Sequence, residues 1–347
     1  MNGIILKFTE MAVDGLYYCN VKPVVIESKM KNSDLPNLFI IGAPKSGTTS
    51  LFRWLADHPQ VCASRPKETW FFADKELEHI SIRPNRTTHD IDDYLQLFDR
   101  VTDQTRIKME GSTHYLYSQP ALEFISGIRP RPKVIVLLRD PTLRIWSHFN
   151  YIKQKSQSPL DLSFPKFVDA ILDRHQAWDF SSHGLEQHLL GNQLECSNYL
   201  KHLTPWLGEI PVDHVRMFTL EELRQNIPNV ITDISEWLKI DPAFYAGYKL
   251  APQNAGRSRT ALQTKRKLRK YANYLPPTVK SWGGRAIDRI QGVSAKDQSQ
   301  DDAEAIRRLS RFFAESNKHL ENVTGLNLSA WNYFENMSPS PLILVST

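Results

Sequence analysis

Apolar positions along the chain fall into two alternating patterns. Short runs without polar interruption, Leu38–Ile41 and Val134–Leu138, have the length of strands covered on both faces. Val61–Ala63, Ile107–Glu110 and Val215–Phe218 repeat this more briefly. Between the runs, apolar residues recur at helical spacing: Leu51, Trp54 and Leu55 after the first, and Leu143, Ile145, Trp146, Phe149 and Ile152 after Val134–Leu138. The same pattern predicts helices near Asp90–Phe98, over Phe164–Ala177, as one long element over Gly184–Trp206, near Ile227–Leu238, and over Asp302–Val323. Strands alternating with helices imply an α/β fold. The expected architecture is a parallel sheet of about four or five strands with helices on both faces and a helical C-terminal part.

The junction after the first run narrows the picture. Gly42-Ala43-Pro44-Lys45-Ser46-Gly47 is a tight loop, and Thr48 and Thr49 open the helix behind it. Strand, glycine-bounded loop and helix in that order make a phosphate cradle, in which loop amides and the helix N-terminus converge on an anion. The sheet is therefore expected to be of the P-loop type. A nucleoside triphosphatase loop has a lysine directly after its second glycine. Here Thr48 stands at that place and the cation has moved into the loop, at Lys45.

Val134–Leu138 ends in Arg139-Asp140-Pro141 rather than in an acid for magnesium. Asp140 suits a helix cap followed by proline in the first turn. Arginine at the carboxyl edge of a strand is a bidentate phosphate ligand, and Ser147 adds a hydroxyl about two turns into the next helix.

Pro44-Lys45-Ser46-Gly47-Thr48-Thr49 resembles the 5′-phosphosulfate loop of sulfotransferases that use 3′-phosphoadenosine 5′-phosphosulfate (PAPS). Arg139 and Ser147 resemble the 3′-phosphate site of the same family. The chain is most similar to its bacterial and heparan-sulfate branch, from about Pro36 to Trp331 and weakly between Phe180 and Leu250. The resemblance implies that Lys45, Ser46, Gly47, Thr48 and Thr49 hold the 5′ end of PAPS and that Arg139 and Ser147 hold the 3′-phosphate. It implies that Gly256 and Arg257 belong to a loop closing over the nucleotide. The product is then 3′,5′-ADP, and no metal is called for.

Lys67-Glu68-Thr69-Trp70-Phe71-Phe72 resembles the segment that carries the general base in that branch, which makes Glu68 the candidate to take the acceptor's proton. Burial beside Trp70 and Phe71 is expected to raise its pKa, and the neighbouring lysine to lower it. The competing reading is a surface glutamate at a loop end. Relatives carry Glu-Lys-Thr-Pro where this chain has Glu110-Gly111-Ser112-Thr113, so a second lysine that helps bind the sulfuryl group is missing at Gly111. His114 is either an alternative base or donor, or a packed strand-end histidine. His175, His183 and His188 lack metal-ligand spacing and read as structural or surface residues.

A net charge of +5, with 41% hydrophobic and 23% charged residues, is that of a globular protein with an anionic ligand and gives no sign of nucleic acid binding. Three cysteines, far apart and without a CxxC, imply a reducing compartment. No apolar run approaches the ~18–20 residues of a membrane span, and no signal peptide opens the chain. The family's Golgi members carry a membrane anchor, so a cytoplasmic enzyme is expected. The acceptor is then expected to be a small-molecule metabolite, with carrier-tethered and glycan acceptors, and hydroxyl or amine, left open, as is the oligomeric state.

The domain is expected at 36–331, after an N-terminal extension (1–35) and before a C-terminal tail (332–347). A basic helical insertion lies around 261–296, and the 257–270 stretch carries seven cations. They form a solvated face, or a lid or docking surface for an anionic partner. Two rivals share parts of the pattern: a P-loop kinase or nucleotidase, and a non-catalytic binder of PAPS or a polyanion.

Overall fold

The computed structural model describes residues 34–73, 85–86, 89–155, 162–173, 192–251 and 300–332. In chain order the elements are β1 (Leu38–Gly42), α1 (Thr48–Ala56), β2 (Val61–Ala63), α2 (Ile91–Leu95), β3 (Ile107–Glu110), α3 (Gln119–Gly127), β4 (Lys133–Leu138) and α4 (Pro141–Lys155). They continue with α5 (Phe164–Leu172), α6 (Gln193–Ser197), α7 (Tyr199–Glu209), β5 (Val215–Thr219), α8 (Leu220–Gln225), α9 (Ile227–Leu238) and α10 (Gln300–Thr324). A 3-10 turn at Thr113–Tyr117 links β3 to α3.

All five strands pair in parallel, in the order β2-β3-β1-β4-β5. The uninterrupted apolar runs follow from burial on both sides. Phe39, Ile41, Val134, Val136 and Leu138 face one layer, with Phe124 of α3, Tyr199 and Trp206 of α7, and Trp331. Leu38, Ile40, Ile135 and Leu137 face the other, with Leu51 and Leu55 of α1 and Ile231, Ile234 and Leu238 of α9. A third cluster joins α4, α5 and α10 through Ile145, Phe149, Phe167, Ile306, Leu309 and Phe313. The α/β fold, five strands within the expected four or five, and the helical C-terminal part are all present.

After β1 the chain crosses to β2 and β3 on one side, and after β3 it returns to β4 on the other. The loops that leave β1 and β4 are therefore neighbours at the carboxyl edge, the position where open parallel sheets bind ligands. The Ala43 amide donates to the Leu137 carbonyl at 2.6 Å, carrying the β1–β4 pairing into the loop.

Three expectations change. The long helix over Gly184–Trp206 is two helices in its described part, broken at Asn198 (φ −80°, ψ 73°). Leucine spacing runs through the break, but the buried Arg144 takes the Gln193 carbonyl and the Ser197 hydroxyl and fixes the corner. The helix near Asp90–Phe98 is shorter, Ile91–Leu95, and capped by Asp90. The helix begun at Phe164 ends at Leu172. The 257–270 cations, His175, His183, His188, the tail 333–347 and residues 1–33 lie outside the described residues.

Candidate active site

Lys45 and Gly47 both have left-handed backbone, at φ 69° and 88°. Gly47 is the residue before α1, and no side chain caps that helix. Left-handed residues on either side of Ser46 fold the loop tightly, its Ser46 amide donating to the Ala43 carbonyl, and an uncapped first turn leaves its N–H groups for an anion. A Cβ at Gly47 would stand 2.7 Å from Leu220 Cδ1, so glycine is required there on two counts. Ser46 is fully buried, yet among the described residues its hydroxyl has no hydrogen-bond partner. Thr48 is buried and Thr49 half-buried at the helix start.

Arg139 reaches this loop from β4. Its Nη1 donates to the Lys45 carbonyl at 3.2 Å, while its buried Nε has no partner among the described residues. The Tyr199 hydroxyl donates to the Arg139 carbonyl at 2.8 Å and holds the backbone. Burial lowers the Arg139 pKa, and Arg224 of α8 adds to that push. Lys45 is lowered from 10.5 to about 8, first by burial and then by the Arg139 charge. Two crowded cations, an orphaned hydroxyl and an orphaned guanidinium nitrogen make a site in want of a polyanion.

Asp140 caps α4 as expected, its Oδ1 accepting from the amides of Thr142 (2.7 Å) and Leu143 (3.2 Å). Burial raises its pKa to about 7. Ser147 lies half-buried on α4. Four residues on, Tyr151 puts its ring 4.2 Å from the Lys45 ammonium. His148, beside Ser147, is buried with both ring nitrogens unpartnered among the described residues, and its pKa is held well down by burial, then by Arg144, His114 and Lys45. Tyr151, His148 and Arg224 are not among the residues that sequence analysis singles out. Helical spacing from Ser147 was the available signal for Tyr151.

Glu68 lies across β3 from the loop. Its Oε2 accepts from the Thr113 amide at 2.8 Å, the Thr113 hydroxyl at 3.2 Å and Trp70 Nε1 at 3.2 Å; its Oε1 pairs with Lys67. Burial alone would raise this carboxyl. The charge and hydrogen bond of Lys67, with the Thr113 amide and His114, outweigh it and hold the pKa below the usual range. Both expected pushes are present, and the downward one wins. His114 packs edge-on to Trp70 at 5.1 Å, its Nδ1 buried and without a partner among the described residues. Burial lowers its pKa against the pull of Glu68.

Beneath these residues, Glu110 accepts from Thr69 (2.6 Å), Ser112 (2.6 Å) and Tyr94 (2.5 Å). This buried network ties the Glu68 segment to the turn after β3. The structure thus brings Lys45, Ser46, Gly47, Thr48, Thr49 and Arg139 together, with Glu68 and His114 as a second cluster. Gly256 and Arg257 lie outside the described residues. Among the described residues no three His, Cys, Asp or Glu groups gather to hold a metal.

The pattern of the family described as "Sulfotransferase domain" matches residues 35–262, about two-thirds of the chain. The chain belongs to the sulfotransferase family. Members of this family take the sulfuryl group from PAPS. Carbohydrate sulfotransferase 15 of Homo sapiens is 26% identical over 249 residues, covering 60% of this chain and 44% of its own length. Bifunctional heparan sulfate N-deacetylase/N-sulfotransferase 3 of Mus musculus is 25% identical over 222 residues, covering 63% of this chain and 24% of its own. The chain thus spans less than half the length of these curated relatives. A solved sulfotransferase from Alicyclobacillus acidocaldarius superposes with a TM-score of 0.59 at 22% identity, over 86% of this chain and 99% of its own, and shares the fold.

One expectation is overturned by these relatives. A cytoplasmic location was inferred by setting this chain apart from the anchored Golgi members, yet the relatives it matches are carbohydrate and heparan sulfate sulfotransferases. That no described helix is long and apolar enough to cross a membrane does not restore the inference.

Proposed function

We propose that this sulfotransferase domain moves the sulfuryl group of PAPS to a hydroxyl of an acceptor by in-line transfer. The observation that carries the reading is the contact between Arg139 and the Lys45 carbonyl, which joins the two cation-bearing loops into one site. PAPS, when bound, supplies an activated sulfuryl group on a good leaving phosphate. The orphaned Ser46 hydroxyl and Arg139 Nε fit such a doubly phosphorylated nucleotide. Lys45, the loop amides, Thr48 and Thr49 would hold its 5′ end. Arg139 and Ser147 would hold the 3′-phosphate, and Gly256 and Arg257 are the proposed closing loop.

Lys45 stabilises charge growing on the leaving oxygen, and positioning supplies the rest. Glu68 is the proposed base. Its carboxylate is ionised across the neutral pH range and so is ready to accept a proton. His114, beside it, would donate to or orient the acceptor. A magnesium-dependent kinase is disfavoured, because the acid at the end of β4, Asp140, is committed to capping α4.

For the acceptor, the expectation of a small metabolite rested on a cytoplasmic location. The names of the relatives favour a carbohydrate instead. Transfer of labelled sulfate from PAPS is the test, with desulfated chondroitin and heparan set against simple alcohols and phenols. Label in the polysaccharides supports the carbohydrate reading, and label only in small acceptors overturns it. No transfer to any acceptor, together with magnesium-dependent ATP turnover, would overturn the function itself.

A further inference from the structure

Glu68 has an uneven set of partners. A carboxylate has about four lone-pair sites. Among the described residues, three donors fall on Oε2, while Oε1 has Lys67 alone. A proton arriving from an acceptor therefore has room only at Oε1, where the Lys67 ammonium already sits. That ammonium also donates to the Gly111 carbonyl at 3.3 Å and lies 5.7 Å from the centre of the Phe52 ring. Its side chain is only 14% exposed.

Gly111 itself has no room for a side chain. A Cβ there would meet Phe52 Cδ2 at 2.7 Å and Lys67 Cγ at 3.6 Å. A cation for this corner must come from elsewhere, and Lys67 brings one to the Gly111 backbone from the segment that follows the neighbouring strand β2. The placement answers an electrostatic difficulty. A bare carboxylate beside an anionic sulfuryl group repels it, and an ammonium on the carboxylate screens that repulsion. Once the carboxylate is protonated, the ammonium loses its counter-charge.

We propose that Lys67 is a second catalytic cation, held on Glu68 Oε1 before transfer and turned onto the sulfuryl oxygens when that carboxylate takes the acceptor's proton. The inference rests on the sulfotransferase reading. The acceptor oxygen gives its proton to Oε1 and bonds to sulfur. The sulfur–oxygen bond to the 5′-phosphate breaks, leaving its electron pair on the phosphate beside Lys45. Lys67 thus stays charged throughout, and its partner changes.

The test compares wild type with Lys67→Met, Lys67→Gln and Lys67→Arg. Calorimetry measures 3′,5′-ADP affinity, labelled sulfate release measures transfer from PAPS to water, and carbon-13 NMR follows the Glu68 carboxyl in the nucleotide-free chain. The expected result for Lys67→Met and Lys67→Gln is 3′,5′-ADP affinity within about twofold of wild type, with transfer lower by roughly 30-fold or more. The Glu68 titration should move to higher pH in both and stay near its place in Lys67→Arg, which keeps most of the transfer. Transfer within about threefold of wild type in Lys67→Met, or an unmoved Glu68 titration, would overturn the proposal. Loss of 3′,5′-ADP affinity in both neutral variants would also overturn it, by showing a structural role. A wild-type chain that neither binds 3′,5′-ADP nor releases sulfate would instead remove the sulfotransferase reading itself.

Discussion

Lys45 is the residue whose chemistry is most altered by its surroundings. Its left-handed backbone turns the chain back on itself, and its ammonium rests on Tyr151 with Arg139 close by. Because its pKa is lowered to about 8, a nucleotide that needs the charged form binds less well as pH rises through that value. The sign follows from the free chain: above about 8 the amine is neutral, and an anion restores the proton on binding. Calorimetry at pH 8.5 in two buffers of different ionisation enthalpy should show proton uptake with 3′,5′-ADP, and Lys45→Arg should abolish it. Lys45→Ala should depress transfer by about 10²–10³-fold, read as labelled sulfate moved from PAPS. Near-wild-type turnover would remove the assigned role. The lysine in the loop was legible in the sequence because its spacing from two glycines is local. Of the partners of Glu68, Lys67 and Trp70 were legible as sequence neighbours, whereas Thr113, 45 residues away, was not.

At the scale of elements, the turn after β3 and helix α1 are fitted against each other through Gly111 and Phe52. Gly111→Ala should destabilise the fold by about 1–3 kcal/mol through overpacking, and Phe52→Leu in the same chain should recover part of the loss, both read by urea denaturation. An unchanged midpoint in Gly111→Ala would mean that the contact is looser than the 2.7 Å approach requires. The cap of α4 gives a second test. Asp140→Ala should cost about 1 kcal/mol as the capping acceptor is lost. Asp140→Asn keeps an acceptor and removes a titration. The Asp140 carboxyl is raised from 3.8 to about 7, so its protonation favours the folded state, a contribution lost as pH rises through 7. Stability measured from pH 4 to 8 should therefore decline less in Asp140→Asn than in wild type. Asp140 and Pro141 announce this helix in the sequence. Ser118 and Pro120 mark the start of α3 in the same way, since the Ser118 side chain accepts from the Ala121 amide, although that helix is not among those expected from the apolar pattern. The break at Asn198 had only a weak local signal, an asparagine before Tyr199, and its corner is fixed by Arg144 from another helix.

For the whole molecule, the sheet order brings two loops, 94 residues apart in sequence, into hydrogen-bond contact. Each loop was readable by itself from an apolar run and the residues that end it. Their adjacency follows only from β1 and β4 being neighbours, with β2 and β3 on the far side. The central claim is that one nucleotide spans both loops, and binding without magnesium tests it most directly. Calorimetry should show 3′,5′-ADP binding at least about 100-fold tighter than ADP, a preference that Arg139→Ala reduces to within a few-fold. Equal affinity for the two nucleotides, a preference that survives Arg139→Ala, or binding that requires magnesium would contradict the account.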